Sequence, residues 1–152
     1  MVANISDKAA IVGIGSTEFS KNSGRSDLSL ATEACLTALN DAGLKPTDVD
    51  GMVTFTMDMN EETEVARALG CDDLTFYARV PYGGGAATGA LQQATMAIAT
   101  GMAEVVVCYR ALNGRSGQRY SDGVSGDLIS GSAIHYGWYM PFGLLTPASW
   151  VA

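Results

Sequence analysis

The sequence predicts an α/β layered fold with a mostly parallel sheet. Short segments rich in apolar and β-branched residues alternate with segments of helical periodicity, in the order β-α-β-α-β-α-β. The 152 residues, of which 47% are hydrophobic and 16% are charged, suffice for one domain with a buried core. An alternation of this kind is typical of parallel strands joined by right-handed crossovers.

The first two predicted elements are a strand over residues 8–19 and a helix over residues 28–42. The strand prediction rests on a continuous apolar run, which is typical of a strand buried on both faces of a sheet. The helix prediction rests on alanine, leucine and cysteine side chains at helical spacing. Ser26 or Asp27 can cap the helix at its start, and Gly43 can end it.

Three further strands and two helices complete the predicted alternation. The strands are predicted over residues 51–57, 73–82 and 103–112 because these segments are rich in β-branched and aromatic residues. A short helix over residues 61–69 begins with acidic residues, which suit the positive end of a helix dipole. The second helix follows a glycine turn and ends at residue 100.

The regular pattern covers residues 1–112, which we interpret as one α/β motif. Residues 113–152 are rich in glycine, serine and aromatic residues, and they are predicted to form an ordered loop or interface region. Thr146 and Pro147 suit the cap and the first position of a further helix near the end of the chain. We therefore expect the chain to be the first part of a larger protein.

The charge balance argues against two classes of partner. The formal net charge is −7, whereas nucleic acids and anionic membrane surfaces are held mainly by lysine and arginine. The sequence shows neither a secretory signal nor an apolar run long enough to span a membrane. We expect a cytoplasmic protein without membrane insertion.

The three cysteines are not predicted to be nucleophiles, disulfides or metal ligands. They are odd in number and lack CxxC spacing. Cys35 lies on the apolar side of the first predicted helix, and Cys108 lies inside a predicted strand. Cys71 lies in a loop beside Asp72 and Asp73, whose charges raise a thiol pKa.

The glycine turn "YGGGAATGA" at the start of the last helix allows three interpretations. The first is an anion cradle, but no lysine follows the glycines as a phosphate-binding loop requires. The second is a turn that brings backbone amides to a reacting oxygen. The third is a tight packing joint, since small side chains on the helix demand close approach: Ala86, Ala87, Ala90 and Ala94.

Three other features of the sequence could serve binding or catalysis. In "GIGSTE", Glu18 replaces the third glycine of a dinucleotide motif, so a tight turn is predicted there. His135 is the only histidine, and it is either the one possible imidazole base or a side chain packed among aromatics. Arg110, Arg115 and Arg119 lie within ten residues, and they either hold a phosphate-containing ligand or are solvated loop charges.

Two long stretches together resemble the N-terminal half of the thiolase superfamily. They are "KAAIVGIGSTEFSKNSGRSDLSLATEACLTALNDAGLKPTDVDGMV" and "GGGAATGALQQATMAIATGMAEVVVCYRAL". The resemblance is closest to the sterol-carrier-protein-type thiolases, often described as lipid-transfer proteins. It implies that a C-terminal half, with a second α/β motif and most polar active-site groups, is absent from this chain.

The sequence departs from true thiolases at the nucleophile. In that family a cysteine stands at the start of the helix after the glycine turn, whereas Gly84 occupies its place here and no residue from 80 to 95 is cysteine. A branch without this cysteine comprises the steroid side-chain aldolases of bacterial cholesterol catabolism, which pair with a DUF35-type OB-fold protein. The stretches "TEFSKNSGRS", "YGGGAA" and "PFGLLTP" resemble that branch.

This resemblance implies a retro-aldolase that cleaves a β-hydroxyacyl-CoA with a steroid-type side chain into a ketone and a shorter acyl-CoA. It implies an acyl-CoA substrate, no separate cofactor or metal, a homodimer and a DUF35-type partner. The alternatives are an acetyl-CoA acyltransferase and a thiolase-like scaffold subunit without catalysis. The implied catalytic residues are Tyr82, Gly84 and His135, and the implied substrate- or CoA-binding residues are Gly83, Gly85, Arg115 and Arg119.

Overall fold

The computed structural model describes residues 5–55, 58, 60–80 and 86–116. In chain order the elements are α1 (Asp27–Ala42), a 3-10 turn (Pro46–Asp48), β1 (Gly51–Phe55), α2 (Glu62–Leu69), β2 (Phe76–Val80), α3 (Ala86–Ala99) and β3 (Val106–Cys108). Within these described segments, no helix is long and apolar enough to cross a membrane. The predicted α/β class is confirmed.

The three strands form one parallel sheet in the order β2-β1-β3. The register pairs Gly51 with Phe76 on one side and with Val106 on the other. Because all three strands run in the same direction from a common level, their carboxyl ends meet at one edge of the sheet. The predicted strands are confirmed at these three places, although each is shorter than the apolar segment that predicted it.

Helices cover both faces of the sheet, so the core has two compartments. Met52 of β1 packs with Cys35 and Leu39 of α1 and with Val65 of α2 on one face. The next residue, Val53, packs with alanines of α3 on the opposite face. This alternation of side chains along β1 places one helical layer on each side of the strand.

The ends of α1 are those that the sequence predicts. Ser26 is the N-cap, and its hydroxyl accepts a hydrogen bond from the Ser29 amide at 3.2 Å. Gly43 ends the helix in the left-handed conformation with φ of 69°, where a residue without a Cβ atom is favoured. The same arrangement ends α2, where Gly70 has φ of 83°.

The prediction of a first strand over residues 8–19 is wrong for the described structure. This segment pairs with none of the described strands and lies instead along α1. A Cβ atom at Gly13 or Gly15 would lie 2.3 Å from a backbone carbonyl oxygen of α1, so the close approach requires glycine. The apolar side chains of Ile11 and Ile14 are exposed. The burial expected of this apolar run is therefore also absent in the described structure, because the segment has no ladder partner there that would cover its side chains.

Helix α3 packs closely on the sheet through a row of small side chains. The buried residues of the row are Ala86, Ala90, Ala94 and Ala97. Ala87, which was predicted to belong to this row, is exposed on the other side of the helix. The small side chains of α3 thus allow its close approach to the sheet, whereas the glycine turn before it lies outside the described residues.

We expect Leu39→Ala to lower the free energy of unfolding by about 2–5 kcal/mol, because it leaves a cavity under α1. Leu39 is 4% exposed and lies in the core. Leu36→Ala is the matched control on the same helix, since Leu36 is 37% exposed. This substitution should lower the free energy of unfolding by less than about 1 kcal/mol. Urea unfolding followed by circular dichroism measures both, and equal losses would contradict the assignment of the α1 core face.

Candidate active site

The carboxyl edge of the sheet is where the structure gathers its polar groups. Strands β1, β2 and β3 all end there, and the segments that follow them are residues 56–61, 81–85 and 109–116. Open parallel sheets bind their ligands at this edge, because the loops leaving the strands converge there. In the sequence the predicted glycine turn follows β2, but residues 81–85 lie outside the described residues.

A buried carboxylate organises the segment after β1. Asp58 is 2% exposed, and one of its oxygens accepts hydrogen bonds from the amide and the side chain of Asn60, both at 2.8 Å. Its other oxygen accepts from the Ala111 amide at 2.5 Å. Asp58 therefore joins the segment after β1 to the segment after β3, and three N–H donors offset the cost of burying its charge.

An ion pair links α2 to β2 beside this carboxylate. Arg79 contacts both oxygens of Glu62, at 3.0 and 3.1 Å, and Glu62 is 6% exposed. Arg79 also donates to the Asn60 carbonyl at 2.7 Å. Burial acts to lower the pKa of Arg79, but the hydrogen bonds and charge of Glu62 outweigh it, so the pKa is raised. The guanidinium is fixed and charged.

Tyr109 completes the buried cluster from the segment after β3. Its hydroxyl donates to the Asn60 carbonyl at 3.2 Å, and its own carbonyl accepts from the Thr54 hydroxyl at 2.9 Å. Burial, and then the charges of Asp58 and Glu62, raise the pKa of Tyr109. The phenol therefore stays protonated at neutral pH and acts as a hydrogen-bond donor.

The carboxylates of this cluster are already engaged by protein donors. Asp58 accepts from three N–H groups, and Glu62 binds a guanidinium through both oxygens. Among the described residues, no three histidine, cysteine, aspartate or glutamate side chains are grouped so that they could hold a metal ion. The cluster is consequently suited to fixing the positions of chain segments.

A groove of about 270 Å³ lies next to the cluster, between residues 15–23 and residues 110–115. Arg110 and Arg115 both line it and are exposed, and Glu18 lines the opposite wall. The Arg110 guanidinium lies 5.0 Å from the centre of the Phe55 ring, within the range of a cation–π contact. Two members of the predicted arginine cluster thus line one groove.

Most of the predicted site residues lie outside the described residues. Arg115 is the one that the structure places, and it lines the same groove as Arg110. The other six lie in the segments 81–85 and 117–152, and their assignments remain predictions: Tyr82, Gly83, Gly84, Gly85, Arg119 and His135.

The buried cluster was not predicted from the sequence. Its members are Asp58, Asn60, Glu62, Arg79 and Tyr109. The available signals were charged or amide residues in the otherwise apolar stretches "TFTMDMN" and "FYARV", directly beside predicted strand ends. A buried charge in such a stretch requires a partner, and that requirement could have indicated a polar cluster at the carboxyl edge.

All three cysteines lie among the described residues, and none is activated. Burial raises the pKa of Cys35 to about 12 and that of Cys108 to about 11. Burial and the charge of Asp72 raise the pKa of Cys71. These thiols are protonated at neutral pH, which confirms the prediction that none of them is a thiolate nucleophile.

Comparison with curated proteins places the chain close to carbon–carbon lyases. It is 62% identical over 146 residues to a steroid side-chain-cleaving aldolase of Thermomonospora curvata, covering 95% of this chain and 37% of the relative. It is 55% identical over 150 residues to the 17-hydroxy-3-oxo-4-pregnene-20-carboxyl-CoA lyase of Mycobacterium tuberculosis, covering 97% of this chain and 39% of the relative. The chain thus spans less than two fifths of the length of these relatives. No protein-family profile matches it.

Solved structures confirm the fold. The Ltp2-ChsH2(DUF35) aldolase matches with a TM-score of 0.74 and 60% identity, over 94% of this chain and 35% of that one. A monomeric SCP2-thiolase-like protein of Mycobacterium smegmatis matches with a TM-score of 0.55 and 28% identity, over 64% of this chain and 22% of that one. The predicted resemblance to steroid side-chain aldolases within a thiolase-like fold is confirmed.

We expect iodoacetamide to react slowly with every cysteine of the folded chain at pH 8, at rates that continue to rise with pH. The reason is that the thiolate forms above the raised pKa of each thiol. Asp72→Asn should speed the labelling of Cys71 by removing a neighbouring charge, whereas Asp73→Asn, the matched control, should leave it nearly unchanged. Peptide mass spectrometry measures each rate. A cysteine that reacts rapidly at pH 7 would contradict the structure.

Proposed function

We propose that this chain takes part in a carbon–carbon lyase reaction, the retro-aldol cleavage of a β-hydroxyacyl-CoA with a steroid-type side chain. The observation that supports it best concerns the cysteines of this thiolase-like fold. Burial raises the pKa of all three thiols, so none of them is held as a thiolate at neutral pH. Acyl transfer in such a fold requires a thiolate, whereas retro-aldol cleavage does not. Relatives at 62% and 55% identity are an aldolase and a lyase.

The proposed reaction needs a base and a site for an enolate. The base removes the proton of the β-hydroxyl group, which becomes the ketone carbonyl as the bond between the α and β carbons breaks. The bonding electrons pass into the thioester enolate, and protonation at the α carbon gives the shorter acyl-CoA. Gly83, Gly84 and Gly85 remain predicted to supply amide donors to the enolate oxygen or the space that a thioester needs. Tyr82 remains predicted as a wall of the site or a phenolic hydrogen-bond donor, and His135 as an imidazole base or a packed side chain.

The groove beside the cluster is the proposed binding site for the phosphate groups of coenzyme A. Arg110 and Arg115 both line it, and a guanidinium group binds phosphate through paired hydrogen bonds. Arg119 follows four residues later in the sequence and is proposed to extend this set. Coenzyme A is part of the substrate, and the proposed reaction needs no further cofactor.

The proposed assembly is a homodimer that also binds a DUF35-type protein in the cytoplasm. The name of the Ltp2-ChsH2(DUF35) aldolase supports the second partner. Strand β2 has a neighbour on one side in the described sheet, and Tyr77 on it is 63% exposed, which supports pairing with a second copy. Three free cysteines suit a reducing compartment.

We expect the 152-residue chain alone not to cleave 17-hydroxy-3-oxo-4-pregnene-20-carboxyl-CoA, because the resemblance places the base outside it. Co-expression with a polypeptide matching the remaining length of the Thermomonospora relative, and with a DUF35-type protein, should yield a ketone and a shorter acyl-CoA. Liquid chromatography with mass spectrometry measures both products.

A variant with all three cysteines changed to alanine is the control for this experiment. Its turnover in the assembled system should stay within about twofold of the unchanged protein, since no acyl-cysteine forms. An acyl group retained on a cysteine after one turnover would favour an acyltransferase. Assembly with the DUF35-type protein and no cleavage of the substrate would favour a scaffold subunit.

We expect Arg115→Ala to weaken the binding of coenzyme A by roughly three- to tenfold, because a charge-assisted contact to phosphate is lost. Arg67→Ala is the matched control, since Arg67 is an exposed cation on α2 and does not line the groove. Glu18→Gln should strengthen the binding of coenzyme A, because it removes a negative charge from the groove. Calorimetric titration measures all three. Equal effects of Arg115→Ala and Arg67→Ala would show a general charge effect and no site.

A further inference from the structure

Residues 110–115 form one wall of the groove, and at its start the exposed Arg110 stands between two buried residues. Tyr109 is 7% exposed and Ala111 is 6% exposed, whereas Arg110 between them is exposed. In an extended segment, neighbouring side chains point to opposite sides. The direction of Arg110 is therefore set by whatever holds Tyr109 and Ala111.

Asp58 holds the inner side of this wall. It is buried and accepts a hydrogen bond from the Ala111 amide at 2.5 Å. Through its other oxygen it fixes Asn60, whose carbonyl in turn accepts from the Tyr109 hydroxyl at 3.2 Å. Asp58 thus holds the chain directly at Ala111 and, through Asn60, contacts the Tyr109 side chain, whose own backbone amide donates to the Val53 carbonyl of β1 at 3.1 Å.

The rest of the wall is held at its two ends. The Thr54 hydroxyl donates to the Tyr109 carbonyl at 2.9 Å. At the far end, the Asn113 side chain donates to the Arg25 carbonyl at 2.6 Å and accepts from the Ser23 hydroxyl at 3.1 Å. Between these ends, the hydrogen bond from the Ala111 amide to Asp58 fixes the middle of the wall, one residue from Arg110.

We propose that Asp58 is a positioning residue that fixes Arg110 toward the groove for binding the phosphates of an acyl-CoA. The ligand in this proposal rests on the proposed function, whereas the positioning of Arg110 rests on the contacts alone. A carboxylate is required, because an asparagine would present an NH₂ group to one of the three N–H donors and leave it unpaired.

Asp50 offers a matched control at the opposite end of β1. Its carboxylate also accepts from backbone amides, those of Glu104 at 2.9 and 3.0 Å and of Val105 at 2.8 Å. Asp50→Asn therefore removes the same charge and disturbs a similar set of hydrogen bonds that fasten β3 to β1. It does so at the amino edge of the sheet, away from the groove.

The test compares Asp58→Asn and Asp50→Asn in the 152-residue chain with two measurements. Nuclear Overhauser effects between Arg110 and the Phe55 ring report the position of Arg110 without any ligand. Calorimetric titration with coenzyme A reports the affinity of the groove. We expect Asp58→Asn to lose the Arg110–Phe55 contacts and to weaken coenzyme A binding about tenfold, and Asp50→Asn to preserve both.

The outcomes separate this inference from the proposed function. Loss of the Arg110–Phe55 contacts in Asp58→Asn, with no coenzyme A binding by the unchanged chain, would support positioning and overturn the proposed ligand. Retention of those contacts and of affinity in Asp58→Asn would overturn the positioning role. If Asp58→Asn does not fold, Tyr109→Phe removes the Tyr109 link to Asn60. It should then weaken the same contacts partly, and an unchanged spectrum would overturn the proposal.

Discussion

Strand β1 is the constraint on which the other elements depend. All five of its residues are buried, and consecutive side chains face opposite helical layers. It pairs with β2 on one side and β3 on the other, so the register of both strands is set against β1. Because the three strands run parallel from a common level, the described segments that follow β1 and β3 meet at one edge. The candidate site exists at that edge for this topological reason.

Two aspartates fasten β3 to β1, one at each edge of the sheet. Strand β3 is three residues long, and a ladder of that length contributes few backbone hydrogen bonds. Asp50 binds the amides that precede β3, and Asp58 binds an amide that follows it. Each carboxylate accepts several N–H donors, which offsets the cost of removing it from water. Short strands in this protein are thus supplemented by charged side chains.

Local chemistry allowed much of the fold to be predicted from the sequence, but little of the site. The cap at Ser26 and the glycine that ends α1 depend on neighbouring residues, so both were predicted correctly. The segment over residues 8–19 was misassigned because a strand depends on a partner that apolarity does not identify. The link between Asp58 and Ala111 spans 53 residues and depends on topology, so no local pattern reveals it. The glycine turn, which suggested the chemistry, lies outside the described residues.

The Ala111 amide in the groove wall is hydrogen-bonded to a side chain and not to a neighbouring strand. The proton of this amide exchanges with solvent whenever its one hydrogen bond, to the Asp58 carboxylate, opens. The amides inside β1 exchange when the ladder itself separates, which is a larger and rarer event. Exchange of the Ala111 amide proton therefore reports on the contact with Asp58, whereas exchange of the β1 amide protons reports on the sheet.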